Sequence, residues 1–328
     1  MNVLAGDVGG TNARLALVEV TDGRPTIREQ RTYPSRAYSG LAAIVRTFYA
    51  ETGARPERAC IGLPCPAAED ECRSANLPWR VEAAELAADI AVAASALIND
   101  FTAMGHGIAL LGRADVETLQ VGEPKARAPI GLIGAGTGLG VGFLTWCGDR
   151  YEVHGSEGGH NGFAARGERQ GGLARALERE YGRVSQERVL SGPGILATYR
   201  YLATPGASAA PENPAIRAEI DAGDPAAVIF RHAMSGTDAL CRETLDLFVD
   251  ALGAAAGDLA LTILARGGIY VGGGIAPRIV DHLRQRAFLR AFRDKGRLSA
   301  YLARIPVHVI VNPHVGLLGA AAVAARLP

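Results

Sequence analysis

The sequence predicts an α/β protein of two domains, built from one duplicated plan with a cleft between the halves. Three observations carry this. Gly6-Asp7-Val8-Gly9-Gly10-Thr11 and Gly134-Ala135-Gly136-Thr137-Gly138 are glycine-rich stretches, each set between two short apolar runs and each opening one half of the chain. The flanking runs have the length and pattern of strands, so each stretch reads as strand, tight turn, strand. At 328 residues the chain also exceeds one ordinary hydrophobic core.

The chemistry of the first turn follows from its residue types. Gly9 and Gly10 lack Cβ atoms, so backbone N–H groups can approach a bulky anion, with the Thr11 and Asn12 side chains as further donors. A polyphosphate fits that description, and Asp7 is placed to hold a hydrated Mg²⁺ against it. A single such motif can equally be a plain hairpin. The second copy, with Gly136 and Thr137 at its tip, argues instead for two phosphate-gripping turns facing each other across the cleft. The dinucleotide fingerprint needs a helix after its glycines, whereas Leu139 to Trp146 reads as strand; the P-loop lysine is absent.

Taken in order, Ile27 to Tyr33 adds a third strand, and 40–51 has helical spacing at Leu41, Ile44, Val45 and Phe48. Ala59 to Leu63 is a buried strand stopped by Pro64-Cys65-Pro66. Asn76-Leu77-Pro78-Trp79 is a loop, with Trp79 a core aromatic, and a helix over 81–90 follows. Ser95 to Ile98 is a strand that delivers Asn99 and Asp100 to its carboxyl end, where ligands of open α/β sheets sit. Read alone, Asp100 is either an N-cap for the next helix or a general base. The pattern loosens after Gly105, so the domain boundary is expected near 110.

In the second half, Glu157 and His160 stand in a glycine loop that is either a solvated loop or a source of hydrogen-bond donors and acceptors for a polar ligand. Residues 204–222 read as a surface excursion of no evident chemistry. Thr237 to Ala265 is a long helix, with Gly253 and Gly257 allowing close backbone approach, and it belongs to the core or a dimer contact. Gly268 to Val271 is a strand running into Gly272-Gly273-Gly274, where a flat ligand can lie against backbone. A strand over 306–311 and an apolar helix over 315–326 close the chain.

Charge is balanced, 34 basic against 34 acidic residues, which argues against nucleic acid or a membrane as partner. No uncharged run reaches the ~20 residues needed to span a bilayer, and no signal peptide is expected at the N-terminus. Five cysteines without a C-x-x-C suggest reduced thiols in the cytoplasm.

The paired turns resemble the sugar kinase, Hsp70 and actin superfamily, and within it the bacterial glucokinase family of the proteobacterial type. The matching motifs are G-D-V-G-G-T-N-A-R-L-A-L at the start, I-N-D-F-T-A at 98–103, G-A-G-T-G-L-G-V at 134–141 and G-S-E-G-G-H at 155–160. S-x-E-R-V-L-S-G-P-G at 185–194, G-G-G-I-A-P-R at 272–278 and G-L-L-G-A at 316–320 complete the set, in family order from end to end. The resemblance implies a duplicated ribonuclease H-like, actin-like ATPase fold, with 1–110 plus 301–328 as a small domain and 111–300 as a large one. It implies ATP-dependent phosphorylation of glucose at the 6-hydroxyl, with Asp100 as catalytic base and Asn99, Asp100, Gly138, Glu157, His160 and Glu187 on the sugar. Gly6, Asp7, Gly9, Gly10, Thr11, Asn12, Gly136, Thr137 and Gly272 to Gly274 would bind ATP, with Asp7 reaching Mg²⁺ through water. Asn76 would line the cleft, and a homodimer is expected.

The family's zinc-binding relatives carry a cysteine cluster that this chain lacks after His160, so His160 is assigned to sugar. Kinases of fructose, mannose or an N-acetylhexosamine share the chemistry. A switching ATPase shares the fold but does not require the polar cluster at 99, 100, 157, 160 and 187. A sugar-sensing repressor would need a DNA-binding module, for which no room is expected before Val3. Closure of the domains is expected to exclude water as a competing acceptor.

Overall fold

In the computed structural model, which describes residues 1–65, 71–72 and 79–328, both glycine stretches join antiparallel strands. In the first half β1 (Asn2–Val8) pairs with β2 (Asn12–Thr21), Val8 facing Ala13 across the turn. Strand β3 (Arg24–Pro34) continues that side. On the other side β4 (Arg58–Leu63) and β5 (Ala94–Asn99) run parallel to β1, giving the order β3-β2-β1-β4-β5. Leu63 and Asn99 are paired at the carboxyl ends of these two strands.

The second half repeats the plan. Strands β6 (Val116–Gln120), β7 (Ile130–Ala135), β8 (Leu139–Cys147), β9 (Arg150–Ser156), β10 (Gly268–Gly272) and β11 (Val307–Ile310) form a sheet in the order β9-β8-β7-β10-β11-β6. In both sheets the strand entering the glycine turn lies between an antiparallel hairpin partner and a parallel strand: β1 between β2 and β4, β7 between β8 and β10. Every residue of β7 is buried, as expected of a central strand covered on both faces.

Contacts divide the chain into one unit of Met1–Asp115, Cys147–Gly155 and Asn312–Pro328, and a second of Val116–Trp146 and Ser156–Val311. The change from first to second unit therefore comes at 115, not 110, and the return at 312, not 301. The late strand explains the second difference. β11 pairs parallel to β10 and antiparallel to β6, so it belongs to the second sheet rather than to the first domain.

In the first unit α1 (Leu41–Thr52) buries Leu41, Ile44, Val45 and Phe48 and stops at Gly53, a left-handed cap whose N–H bonds Tyr49 O. A shorter helix α2 (Ala83–Asp89) precedes β5, starting two residues later than the spacing suggests. Helix α3 (Asp100–Ile108) leaves β5 directly and packs on the closing helix α4 (Val315–Ala324). That packing is close because Gly319 faces Ala103 O and Gly107 faces Val315 O, and a Cβ at either glycine would run into the opposing carbonyl.

The second unit is built around α8 (Ala239–Thr262), whose buried residues include Leu245, Phe248 and Leu252. Its neighbours are α5 (Gly192–Leu202), α7 (Pro225–Ser235) and α9 (Arg286–Arg293), and α6 (Pro214–Ala222) packs on α7. The burial makes α8 core, so it lends no support to a dimer. Gly253 and Gly257 bring it against Phe288 O and Phe292 O of α9, closer than any side chain would allow. Residues 204–222 are not a bare excursion. Asn213 caps α6, its Oδ1 accepting Ala215 N–H at 3.0 Å, Pro214 starts the helix, and Ile216 and Ile220 enter the core.

The expectation of reduced thiols fails at one pair. Cys65 and Cys72 form a disulfide, their Cα atoms 5.6 Å apart, while Cys60, Cys147 and Cys241 are free. No helix among the described residues is long and apolar enough to cross a membrane.

Replacing Gly253 by Val would force apart α8 and α9 at Phe288 O. A loss of about 1–3 kcal/mol is expected, the usual cost of overpacking, read as a lower urea midpoint; an unchanged midpoint would contradict the contact.

Candidate active site

The first turn is braced from beneath. Gly9 N–H closes it onto Asn12 O at 2.8 Å, while Ser35, fully buried, donates its N–H to Thr11 O at 2.9 Å and its hydroxyl to Gly9 O at 2.7 Å. These bonds consume carbonyls, leaving Gly10 and Thr11 at the tip with Thr11 and Asn12 exposed. Gly6 has a packing role as well: a Cβ there would lie 2.6 Å from Ile61 Cδ1. Asp7 pairs with Arg14, which also donates to Pro313 O at 3.0 Å. The start of α4 lies close by, a Cβ on Gly316 falling 3.8 Å from Asp7 Oδ2.

At the end of β5 two adjacent residues divide the work. Asn99 is the N-cap of α3, its Oδ1 accepting Phe101 N–H at 2.9 Å and Thr102 N–H at 3.1 Å, and its Nδ2 donating to Cys65 O at 2.9 Å. Asp100 is thereby released from the cap position. Its Oδ1 accepts Phe101 N–H at 2.8 Å, at the first residue of the helix. The residue is exposed on one side, but protein crowds its carboxyl elsewhere. That burial pushes its pKa up to about 6; the Asp7 carboxylate adds to the rise and the bond from Phe101 opposes it.

The second unit gathers the remaining residues. Gly136 N–H bonds Gly138 O at 2.8 Å across the turn, and Gly136 O accepts Gly192 N–H at 2.8 Å from the start of α5. Gly272 pairs with Gly134, and Gly273, at φ +81°, is a required glycine because a Cβ would meet Ala135 O. Gly274 N would lie 4.0 Å from a Cβ on Gly136, so the three-glycine turn adjoins the 136–138 turn. Glu187 Oε2 accepts Leu139 N–H at 2.9 Å, immediately after Gly138.

Glu157 and His160 flank a short 3₁₀ turn, with His160 N–H on Glu157 O at 2.9 Å and the side chains 3.8 Å apart, both exposed. Gly159 lets this turn sit on Leu139 O. It is tied to the segment before Glu187 by Gln186 N–H on Asn161 O at 2.8 Å and by the bridge of Gly162 with Ser185. Gly136 to Gly138, Glu157, His160, Glu187 and Gly272 to Gly274 thus come together within the second unit. Gly6 to Asn12, Asn99 and Asp100 come together within the first.

Trp79 packs half-buried against the first unit's core, as expected, while Asn76 lies outside the described residues. Ser35 and Arg14 escaped the sequence reading. Ser35 is 26 residues from the turn it braces and carries no motif. Arg14 sits within a matching motif, where alternation marks only its strand.

A family-wide sequence profile described as glucokinase matches residues 4–327. A glucokinase of Trichormus variabilis is 42% identical over 342 residues, covering 99% of both chains. The crystal structure of a glucokinase from an Antarctic psychrotroph superposes with a TM-score of 0.85 at 32% identity, covering 99% of each chain. A glucokinase of the ROK family from Streptomyces griseus, solved with glucose and AMPPNP, shares the fold at TM-score 0.68 and 21% identity, with 100% of each chain covered. These matches run along the whole length: the chain has the actin-like ATPase fold of the sugar kinases and belongs to the glucokinase family.

Proposed function

We propose that this protein transfers the γ-phosphoryl group of ATP to the 6-hydroxyl of glucose, the first step of glycolysis. The observation that carries the assignment of roles is Asp100. Relieved of capping by Asn99 and raised to about 6, its carboxylate is charged at neutral pH yet basic enough to take a hydroxyl proton. Phosphoryl transfer asks mainly for positioning and charge neutralisation. The turns at Gly9 to Thr11 and Gly136 to Thr137 would grip the phosphates through the tip N–H groups of Gly10, Thr11 and Thr137, since those of Gly9 and Gly136 close the turns, and Gly272 to Gly274 would offer a flat face to the adenosine. Glu157, His160, Glu187 and Gly138 orient the sugar, and Asn99 has one N–H left for it after its three bonds.

Mg²⁺ fits the donor set. Among the described residues no three acidic, imidazole or thiol groups converge, so the ion would take its ligands chiefly from phosphate and water, as Mg²⁺ does. Asp7 would hold it through water, with the Arg14 pair yielding part of that carboxylate. Bound there, the ion supplies neutralisation of phosphate charge. Arg14 anchors Asp7 to the return segment at Pro313. We assign the protein to the cytoplasm, where ATP is supplied, and a homodimer as its assembly, the latter on the family resemblance. Kinase action on another hexose is the second reading, since Glu157 and His160 are exposed and fix donors and acceptors without fixing a pocket shape.

Replacing Asp100 by Asn removes the base while keeping shape. Turnover is expected to fall roughly two to four orders of magnitude with glucose affinity within a few-fold, as loss of a general base does; near-normal turnover refutes the role. The base works deprotonated, so kcat/KM should be level above neutrality, half-maximal near pH 6 and falling about tenfold per unit below it. A profile flat from pH 8 to 5 contradicts this.

A further inference from the structure

We infer that Glu187 is a strut shared by the sugar site and the second phosphate turn, so that sugar and nucleotide binding are coupled through one carboxylate. This rests on the reading that Glu187 meets sugar and that the 136–138 turn meets phosphate. Three observations place the carboxylate inside the turn rather than beside it. Its Oε2 accepts Leu139 N–H at 2.9 Å, and that oxygen would lie only 2.5 Å from a Cβ on Gly138. Leu139 is 6% exposed, so without Glu187 this N–H loses its partner away from water, a cost the turn relieves only by moving. Oε1 makes no hydrogen bond among the described residues and stays available to a hydroxyl.

The backbone behind Glu187 grips the other end of the same turn. Glu187 O accepts the hydroxyl of Ser191 at 2.7 Å; Ser191, 2% exposed, caps α5 by accepting Gly194 N–H at 3.1 Å. The next residue, Gly192, donates to Gly136 O at 2.8 Å. Residues 187–192 therefore hold the turn at Gly136 and at Leu139, with Thr137 and Gly138 between the two clamps. A sugar hydroxyl on Oε1 fixes the rotamer that keeps Oε2 on Leu139 N–H, and so fixes the turn. By linkage, the factor by which sugar tightens nucleotide equals that by which nucleotide tightens sugar.

The test is calorimetric titration of the full-length protein with Mg²⁺-AMPPNP, without sugar and then with saturating glucose. Without sugar, Glu187→Ala is expected to weaken binding about tenfold, the size of one charge-assisted bond. Glu187→Gln, whose amide oxygen can still accept Leu139 N–H, should stay within about threefold of the unchanged protein. Gly138→Ala gives a second route. Its Cβ displaces only the tip of a flexible side chain, so the protein folds, yet the carboxylate leaves Leu139 and binding should weaken as in Glu187→Ala.

In the unchanged protein, glucose should tighten AMPPNP binding, and Gly138→Ala should abolish that gain. Sugar-free affinities of Glu187→Ala and Gly138→Ala equal to that of the unchanged protein would overturn the strut. So would equal shifts for Glu187→Ala and Glu187→Gln, which would mean charge rather than the bond. If the unchanged protein bound no AMPPNP, the kinase reading would fall and the strut with it; unaltered binding in the variants alone overturns only the strut.

Discussion

A backbone turn that is to grip phosphate, the role proposed for both glycine turns, must leave N–H groups unbonded at its tip and still keep one shape, and each half of the molecule braces its turn accordingly. Unbonded peptide groups give up the ladder bonds that would otherwise fix them, so rigidity has to come from beneath and from the flanks. In the first unit Ser35 supplies it, bonding Thr11 O and Gly9 O from a fully buried position. In the second unit Gly192 and Glu187 supply it from the segment that opens α5. The two turns share a plan and are braced by unrelated means.

The same economy of side chains appears at the end of β5. A helix starting directly from a strand needs a cap, and a capping carboxylate would be a poor base because the bonds it accepts favour its charged form. Asn99 accepts Thr102 N–H and shares Phe101 N–H with Asp100, and Asp100 keeps its basicity because crowding, with the neighbouring Asp7, outweighs that bond. Gly62 on β4 makes room for this start, a Cβ there lying 3.4 Å from Asp100 Cα. On the proposed reading, base catalysis and most of the helix capping thus fall to different residues instead of competing for one.

Much of this was legible in the sequence because its signals are local. Glycine turns between apolar runs, the period of α1 and the glycines of α8 each need only a short window, and the duplication shows as two copies of one pattern. Asp100 was open between cap and base because residue type alone does not say which of two adjacent polar residues takes the N-cap. What stayed hidden depends on pairing between distant segments. Ser35 reaches the turn across 26 residues, β11 chooses the second sheet through β10 and β6, and Cys65 pairs with Cys72 although the odd cysteine set argued against pairing. Helix α6 was missed for a different reason: its alanines and prolines read as surface, although Asn213-Pro214 is a helix-start signature.

The central claim is that phosphate transfer waits on a sugar held by this set of residues, and the most direct measurement is ADP release with ATP and Mg²⁺, compared without sugar and with glucose, fructose, mannose or N-acetylglucosamine. The account predicts strong turnover with glucose and near silence without sugar. Dominance of another hexose would keep the roles and remove glucose as the substrate. Equal ADP release without any sugar would contradict the account and make the protein a switching ATPase.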